Sequence, residues 1–189
     1  MTMGRDRQAL KRTRRSPAPL DAARLNELAL TYVARFATSA AKLQQYLKRK
    51  LRERGWEGEG EPDLTALVDR YVELGYVDDE SFARAKAGSL LRRGYGARRV
   101  SEALGQAGIA EAIREDVRPD DATQRQAALA LARKRRFGPF SREDLSPERR
   151  QKQIAAMLRA GHPLDSARQI VDATSEAAVE QWAAEYDEG

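Results

Sequence analysis

The chain has 189 residues, no cysteine, one histidine and a formal net charge of +5. The missing thiols exclude a disulfide framework and a thiolate metal site, and His162 alone cannot make a zinc site. The sequence contains no apolar run near the roughly 20 residues that a membrane-spanning helix needs. The basic N-terminus is not followed by the apolar stretch of a secretory signal, so we expect a cytoplasmic protein.

The charges are concentrated at the two ends of the chain. Residues 1–19 carry Arg and Lys almost alone, whereas residues 175–189 carry only acidic charges. Segments of one sign are usually solvated interaction tails. Because residues 1–19 also have few apolar side chains, we expect them to be disordered. For residues 175–189 we expect an acidic tail or a cap helix, docked through Val179, Trp182 and Tyr186.

The first part of the chain has the periodicity of three amphipathic helices. The spacing of apolar residues from Leu25 to Phe36 predicts the first helix. Ser39 can cap the second helix, and Gly55 would end it in a left-handed conformation. An acidic loop over residues 57–63 follows. Asp63 can then cap a third helix, which Gly75 ends.

The same order of three helices follows twice more. Asp78 or Asp79 would open the second unit, and Asp120 or Asp121 the third. The short last helix of the second unit would contain Ile109, Ile113 and Val117, and the first helix of the third unit would run to Arg136. Ser146 followed by proline is a typical helix start. The predicted units cover residues 20–77, 78–119 and 120–174. Since period-two runs are absent, the sequence predicts an all-α fold.

A repeat of 53 residues supports this division. Gly55, Gly108 and Gly161 each end an apolar-x-x-x-Gly pattern at that spacing. An apolar residue stands nine positions after each glycine, and one stands eight positions before the first two. In the third unit the polar residue Gln153 takes that earlier position. Such a period indicates an elongated array in which each unit packs on its neighbour.

Three motifs invite a catalytic interpretation that the sequence does not favour. Gly94-Tyr95-Gly96 lacks the lysine and the preceding strand of a phosphate loop, so we interpret it as a turn between helices. The acids at 78–80 stand at a helix start, where they cap amide groups. His162 has no nucleophile near it in the sequence, which favours a packing role. We therefore predict a protein that is not an enzyme and has no cofactor.

Basic residues recur near the predicted helix ends. One cluster spans residues 48–54, a second flanks the Gly94–Gly96 turn, and a third spans residues 133–136. Such residues favour helix C-termini and solubility, but in stacked units they could also meet nucleic acid phosphates or an acidic protein surface. The predicted contact residues are Arg49, Arg52, Arg92, Arg93, Arg98 and Arg99.

The middle of the chain resembles a known family. The segments Gly75-Tyr-Val-Asp-Asp-Glu-Ser-Phe-Ala83 and Arg93-Gly-Tyr-Gly-Ala-Arg-Arg-Val-Ser-Glu-Ala-Leu-Gly-Gln-Ala-Gly-Ile109 are similar to the central signature of the RecX family of bacterial RecA regulators. The three predicted three-helix units match that family's architecture. In the third unit His162 replaces the aromatic residue that we would expect after the glycine.

The resemblance implies a monomeric regulator of DNA repair and the SOS response. It would bind in the helical groove of the RecA–DNA filament and inhibit recombinase, ATPase and co-protease activity. Some family members also bind DNA. The alternative is therefore a helical module that binds single- or double-stranded DNA without sequence preference.

Overall fold

The computed structural model describes residues 18–185. Within them the chain forms ten α-helices and one short 3-10 helix at Gly138–Phe140. The helices are α1 (Ala22–Arg35), α2 (Ala40–Arg54), α3 (Leu64–Glu73), α4 (Asp79–Arg92), α5 (Ala97–Gly105), α6 (Glu111–Asp116), α7 (Asp121–Arg135), α8 (Pro147–Arg159), α9 (Leu164–Val171) and α10 (Glu176–Ala184). The only β-type pairing in this part of the chain is an isolated bridge between Leu20 and Trp56. The predicted all-α fold is confirmed.

Side-chain caps start most of the predicted helices. Ser39, Asp63 and Ser146 each accept a hydrogen bond from the backbone N–H three residues later. Where the sequence left two candidates, Asp78 caps α4 and Asp120 caps α7. In both cases, the N–H of the third residue after the cap reaches the carboxylate at 2.8–2.9 Å. These bonds satisfy amide groups that the first helical turn leaves free.

Three local expectations were wrong. The short last helix of the second unit begins at Glu111 and not at Ile109, although Ile109 is buried in the same core. Helix α7 ends at Arg135, because Arg136 adopts a left-handed conformation with φ of 56°. Gly55 has φ of 80° and ψ of 170°, which is an extended glycine conformation and not the expected left-handed helical one.

Each group of three helices encloses its own apolar cluster. The first cluster centres on Leu43 and Leu47, the second on Val100 and Leu104, and the third on Met157 and Ile170. Tyr95 contacts both the second and the third cluster. Because every core is small, each unit depends on packing against its neighbour.

Gln153, the polar exception in the repeat, is buried for a specific reason. Its side-chain oxygen accepts a hydrogen bond from the backbone N–H of Gly138 at 2.8 Å. The bond holds the 3-10 turn against α8 inside the third unit. A buried amide is tolerated there because it satisfies a backbone donor that would otherwise lack a partner.

Helix α10 covers the outer side of the third unit. Val179 and Ala183 are buried against this unit, and Trp182 packs on the same cluster. Arg133 forms an ion pair with Glu180, and Gln126 donates to the carbonyl of Ala183 at 2.7 Å. The part of the C-terminal segment that the structure describes is therefore a cap helix. Tyr186 and all but the last two residues of the 1–19 tail lie outside the described residues.

Adjacent units meet through short helix ends. Between the first two units, the carboxylate of Asp79 accepts a hydrogen bond from the backbone N–H of Ala40 at 2.9 Å, and Gly108 lies against Ala41. Between the second and third units, Gly161 lies against the first turn of α5 at Arg99. Two of the three concave surfaces described next lie at the second of these junctions.

Candidate interaction surface

The predicted contact arginines lie in three separate places on the array. Arg49 and Arg52 lie on α2 in the first unit. Arg92 and Arg93 end α4 on one side of the junction between the second and third units. Arg98 and Arg99 begin α5 at that junction, and Arg98 lines a different cavity from Arg93. The turn at Gly94–Gly96 thus separates two pairs that are close in sequence.

The α2 pair borders a shallow concavity of about 520 Å3. Arg49 lies over the ring of Tyr46, 5.6 Å from its centroid, and Tyr46 stacks on Tyr32. Arg49 also approaches Glu53 at 3.6 Å. A hydrogen bond from Lys50 is the main cause that lowers the pKa of the Glu53 carboxyl. One nearby acid therefore offsets part of the positive charge of this surface.

A more strongly basic concavity opens at the junction of the second and third units, where the ends of α4, α7 and α8 converge. We call it the basic junction cavity, with a volume of about 380 Å3. It is lined by Arg93, Tyr95, Leu131, Lys134, Arg135, Phe137, Ala156, Arg159 and Ala160. Cations in the last helical turn are favoured by the helix dipole, which accounts locally for basic residues at each of these ends. The convergence of three such ends is a property of the tertiary fold.

The four cations of the basic junction cavity have no acidic partner among residues 18–185. Arg93 instead lies over the ring of Tyr95, 5.4 Å from its centroid. No carboxylate lines the cavity, and Leu131 and Ala156 contribute apolar surface. The arrangement is thus an apolar floor with a cationic rim, which can hold an anionic group without competition from an internal salt bridge.

The second cavity at this junction has a different character. Its volume is about 560 Å3, and we call it the mixed-charge cavity. Arg98 pairs with Glu102 at 2.9 Å, and Arg118 pairs with Glu115 at 3.4 Å. Arg98 also donates to the carbonyl of Leu158 in α8 at 2.6 Å. Arg98 therefore joins the two units, in addition to any role in contacting a partner.

His162 lies buried between the two units, with about 3% of its surface exposed. Its Nε2 is 2.9 Å from the carbonyl oxygen of Gly94 and donates to it, because a carbonyl can only accept. Burial lowers the pKa of the imidazole, and Nδ1 has no hydrogen-bond partner. These contacts confirm the packing interpretation of His162 and give the glycine turn a structural role.

Sequence reasoning missed Arg159, because it is a single basic residue outside the charged clusters. Lys134 and Arg135 were recognised as basic but were not among the predicted contact residues. The available signal was positional, since all three stand in the last turn of a helix. Only the packing of α7 and α8 against α4 brings them next to Arg93.

Two further findings concern metal ligands and membrane-spanning helices among the described residues. No group of three His, Cys, Asp or Glu side chains within residues 18–185 is arranged to hold a metal ion. In the same part of the chain, every helix is too short or too polar to cross a bilayer. Asp78 and Asp79, which resembled a catalytic cluster in sequence, instead serve as cap and inter-unit acceptor.

Comparison with known proteins identifies the relatives of this chain. Residues 78–117 match the family model described as the second three-helix domain of RecX. A protein of Myxococcus xanthus strain DK1622, named Regulatory protein RecX, is 32% identical over 157 residues, which cover 78% of this chain and 84% of the relative. One of the same name from Mycobacterium sp. strain JLS is 33% identical over 164 residues, or 82% and 86% of the two chains.

Solved structures share the architecture. The crystal structure of RecX from Lactobacillus salivarius aligns with a TM-score of 0.61 over 79% of this chain and 94% of that chain. A second crystal structure of regulatory protein RecX aligns with a TM-score of 0.63 over 80% of this chain and 71% of that chain. Both are 19% identical in sequence, so they bear on the fold alone.

Proposed function

This chain belongs to the RecX family of regulatory proteins, and from that premise we propose that it binds in the helical groove of the RecA–DNA filament. Bound there, it inhibits the recombinase, ATPase and co-protease activities of RecA. Its relatives are named regulatory proteins, which supports a regulatory and not an enzymatic role. We further propose that it acts in the cytoplasm as a monomer.

The family relationship is the observation that carries this proposal. The chain covers 84–86% of the length of the two relatives above, so the similarity extends well beyond the signature around residues 75–109. We propose that residues 20–77, 78–119 and 120–174 act as three successive binding units. Each of these ranges contains three α-helices and an apolar cluster, and α10 adds Val179 and Ala183 to the third cluster.

An array of three units suggests a mechanism based on several weak contacts. Once one unit contacts a protomer of the filament, the next unit is held at a high effective concentration beside the neighbouring protomer. A chain that bridges protomers in this way obstructs the conformational cycle of ATP turnover, or access of a second DNA or substrate. Inhibition would not require catalysis by the regulator.

The proposed contact residues are the arginines named from the sequence. Arg49 and Arg52 would contact the partner from the first unit, Arg93 from the basic junction cavity and Arg92 from the adjacent end of α4. Arg98 and Arg99 remain in the proposal, although Arg98 also donates to Leu158 of the neighbouring unit. Lys134, Arg135 and Arg159 extend the surface around Arg93.

The direct test is hydrolysis of ATP by RecA on single-stranded DNA, measured with and without this protein. We expect a slower rate at substoichiometric to equimolar amounts of the regulator. If the folded protein leaves the rate of ATP hydrolysis by RecA unchanged, the proposal is wrong. Boiled protein and bovine serum albumin serve as controls for nonspecific protein effects.

The cations without acidic partners also favour a second candidate, a DNA-binding module without sequence preference. Binding of that kind weakens steeply with salt, because phosphate contacts release counterions. The measurement is the anisotropy of labelled DNA across a salt series, without RecA and with preassembled RecA filaments. Tight binding to naked DNA together with unchanged RecA turnover would favour this second function.

A further inference from the structure

We infer that the basic junction cavity binds an acidic segment of a protein partner, with a carboxylate on its arginines and a neighbouring apolar side chain on its floor. This inference deepens the proposed function, because it names the chemistry of the surface that the second and third units would contact.

The charges of the cavity select an anionic group. Arg93, Lys134, Arg135 and Arg159 border it without an acid among its lining residues. The guanidinium group presents paired N–H donors that match the two oxygens of a carboxylate. A carboxylate entering the cavity would therefore gain charge-assisted hydrogen bonds without displacing an existing ion pair.

The floor of the cavity favours an apolar side chain next to that carboxylate in the bound segment. Leu131 and Ala160 are almost fully buried, while Tyr95 and Phe137 are half-buried beside them. A side chain such as Leu or Phe would cover the apolar atoms that these residues leave open at the cavity surface, with a gain proportional to the apolar area removed from water. A bare anion would leave that area exposed.

The same geometry argues against a nucleic acid strand. At about 380 Å3 the cavity admits one or two side chains, whereas single-stranded DNA binds along grooves that follow its backbone. Base stacking needs a free aromatic face, and Arg93 already lies over Tyr95. The carbonyl ends of three helices also reduce the positive potential, which suits one or two negative charges better than a row of phosphates.

The described part of the acidic C-terminal segment, which ends at Glu185, lies away from this cavity. Helix α10 runs antiparallel to α7, since Glu180 pairs with Arg133 while Ala183 lies beside Gln126. The chain therefore leads away from Lys134 and Arg135 at the end of α7. Helix α10 therefore does not cover the cavity, which is consistent with a separate molecule as its occupant.

The test uses the full-length protein and three fluorescein-labelled probes. The first probe is the peptide Gly-Ser-Asp-Leu-Glu-Phe-Asp-Ser-Gly, and the second has serine in place of its leucine and phenylalanine. The third is a short oligo(dT). Binding is measured by fluorescence anisotropy at fixed ionic strength. We expect the first peptide to bind more tightly than the serine peptide, because only the first has apolar side chains for the floor.

Two double variants examine the cavity, Arg93→Gln with Arg159→Gln and Lys134→Gln with Arg135→Gln. The matched control is Arg35→Gln with Arg70→Gln, which removes the same charge from exposed positions on the first unit. We expect each cavity variant to bind the first peptide at least about tenfold more weakly, because charge-assisted hydrogen bonds are lost. The control should stay within about twofold, since screening weakens distant charges. Thermal unfolding of each variant verifies that it is folded.

Three outcomes would overturn the inference. Equal weakening by the control would show that net charge alone attracts the peptide. Equal affinity for the serine peptide would show that the apolar floor is not used. The third outcome is that oligo(dT) displaces the peptide and that the cavity variants, but not the control, fail to bind oligo(dT). The cavity would then be a nucleic acid site. None of these assays contains RecA, so inhibition of RecA turnover could persist while this inference fails.

Discussion

The backbone N–H of Gly96 donates a hydrogen bond to the carbonyl of Ala160 at 2.9 Å and so joins the start of α5 to the end of α8. An equivalent bond joins the first two units, where the Ser39 hydroxyl donates to the carbonyl of Ala107 at 2.5 Å. The acceptors are 53 residues apart and each directly precedes a repeat glycine, and the donors both cap the middle helix of a unit. The sequence repeat therefore reflects a repeated contact between units.

This relationship predicts a ranking of the repeat glycines. Gly161 has φ of 96°, and a Cβ there would lie 2.5 Å from the backbone nitrogen of Arg99. Gly55 also has a positive φ, but a Cβ there would meet nothing within 4 Å. Urea unfolding should show that Gly55→Ala costs about 1–3 kcal/mol from backbone strain alone. Gly161→Ala should cost more, because the two units must also separate. Equal losses would show that the close approach is not important for stability.

A second prediction separates the arginines around the glycine turn. Arg92→Ala with Arg93→Ala should leave the free energy of unfolding nearly unchanged, because neither side chain forms an ion pair within residues 18–185. Arg98→Ala with Arg99→Ala should lower it by about 1 kcal/mol, since Arg98 donates to Leu158 across the junction. The stability of both double variants is measured by thermal unfolding, with circular dichroism as the signal.

Inhibition of ATP hydrolysis by RecA should be measured for the same two double variants. Under the proposed function, the Arg92 and Arg93 variant should lose inhibition while it stays as stable as the wild type. If both double variants unfold alike and inhibit alike, the distinction between contact and junction residues is wrong.

A third prediction concerns pH. The pKa of His162 is lowered in the folded protein, so near pH 6 the unfolded chain binds more protons than the folded one. The free energy of unfolding should therefore fall as the pH decreases from about 7 through the unfolded histidine value of about 6.5. His162→Gln retains an amide donor for Gly94 and cannot titrate, so its stability should change less over that range.

Three carboxyl groups with lowered pKa values do not contribute to the change expected in this pH range. Hydrogen bonds lower the pKa values of Asp78 and Asp120, and a hydrogen bond from Arg150 lowers that of Asp172, so these groups titrate at more acidic pH. The measurement is urea unfolding at several pH values between about 5.5 and 8. If the free energy of unfolding depends on pH in the same way for the wild type and the His162 variant, His162 is not the group that causes the pH dependence.

A fourth prediction tests the cap helix with two adjacent residues. Val179 is 1% exposed in the third core, whereas Glu180 is exposed and pairs with Arg133. Val179→Ala should lower the free energy of unfolding by about 1.5 kcal/mol for two lost methyl groups, with more for any cavity. Glu180→Ala should cost less than about 1 kcal/mol, because surface ion pairs contribute little. A larger effect at Glu180 would mean that α10 is held mainly by charge.

The helices could be predicted from the sequence because their signals are local. Ser39, Asp63 and Ser146 begin helices since a short polar side chain satisfies free amides a few residues away. Apolar spacing then defines which face of each helix is buried. The two ambiguous starts, at 78–79 and 120–121, could not be resolved in this way, because either neighbouring aspartate can cap a helix. Packing resolved the first, since Asp79 accepts from Ala40 of another unit.

The candidate site was predicted less well. Arg93 was identified from its cluster, but its neighbours Lys134, Arg135 and Arg159 come from helices far along the chain. Arg98 was grouped with Arg93 because the two are close in sequence, although the glycine turn directs them to different cavities. The sequence by itself thus determined most of the helices and the caps at Ser39, Asp63 and Ser146, which depend on residues within a few turns, and it also gave the period of the array. Only the tertiary structure decided which charges meet, because helix ends converge through packing between units that no local pattern encodes.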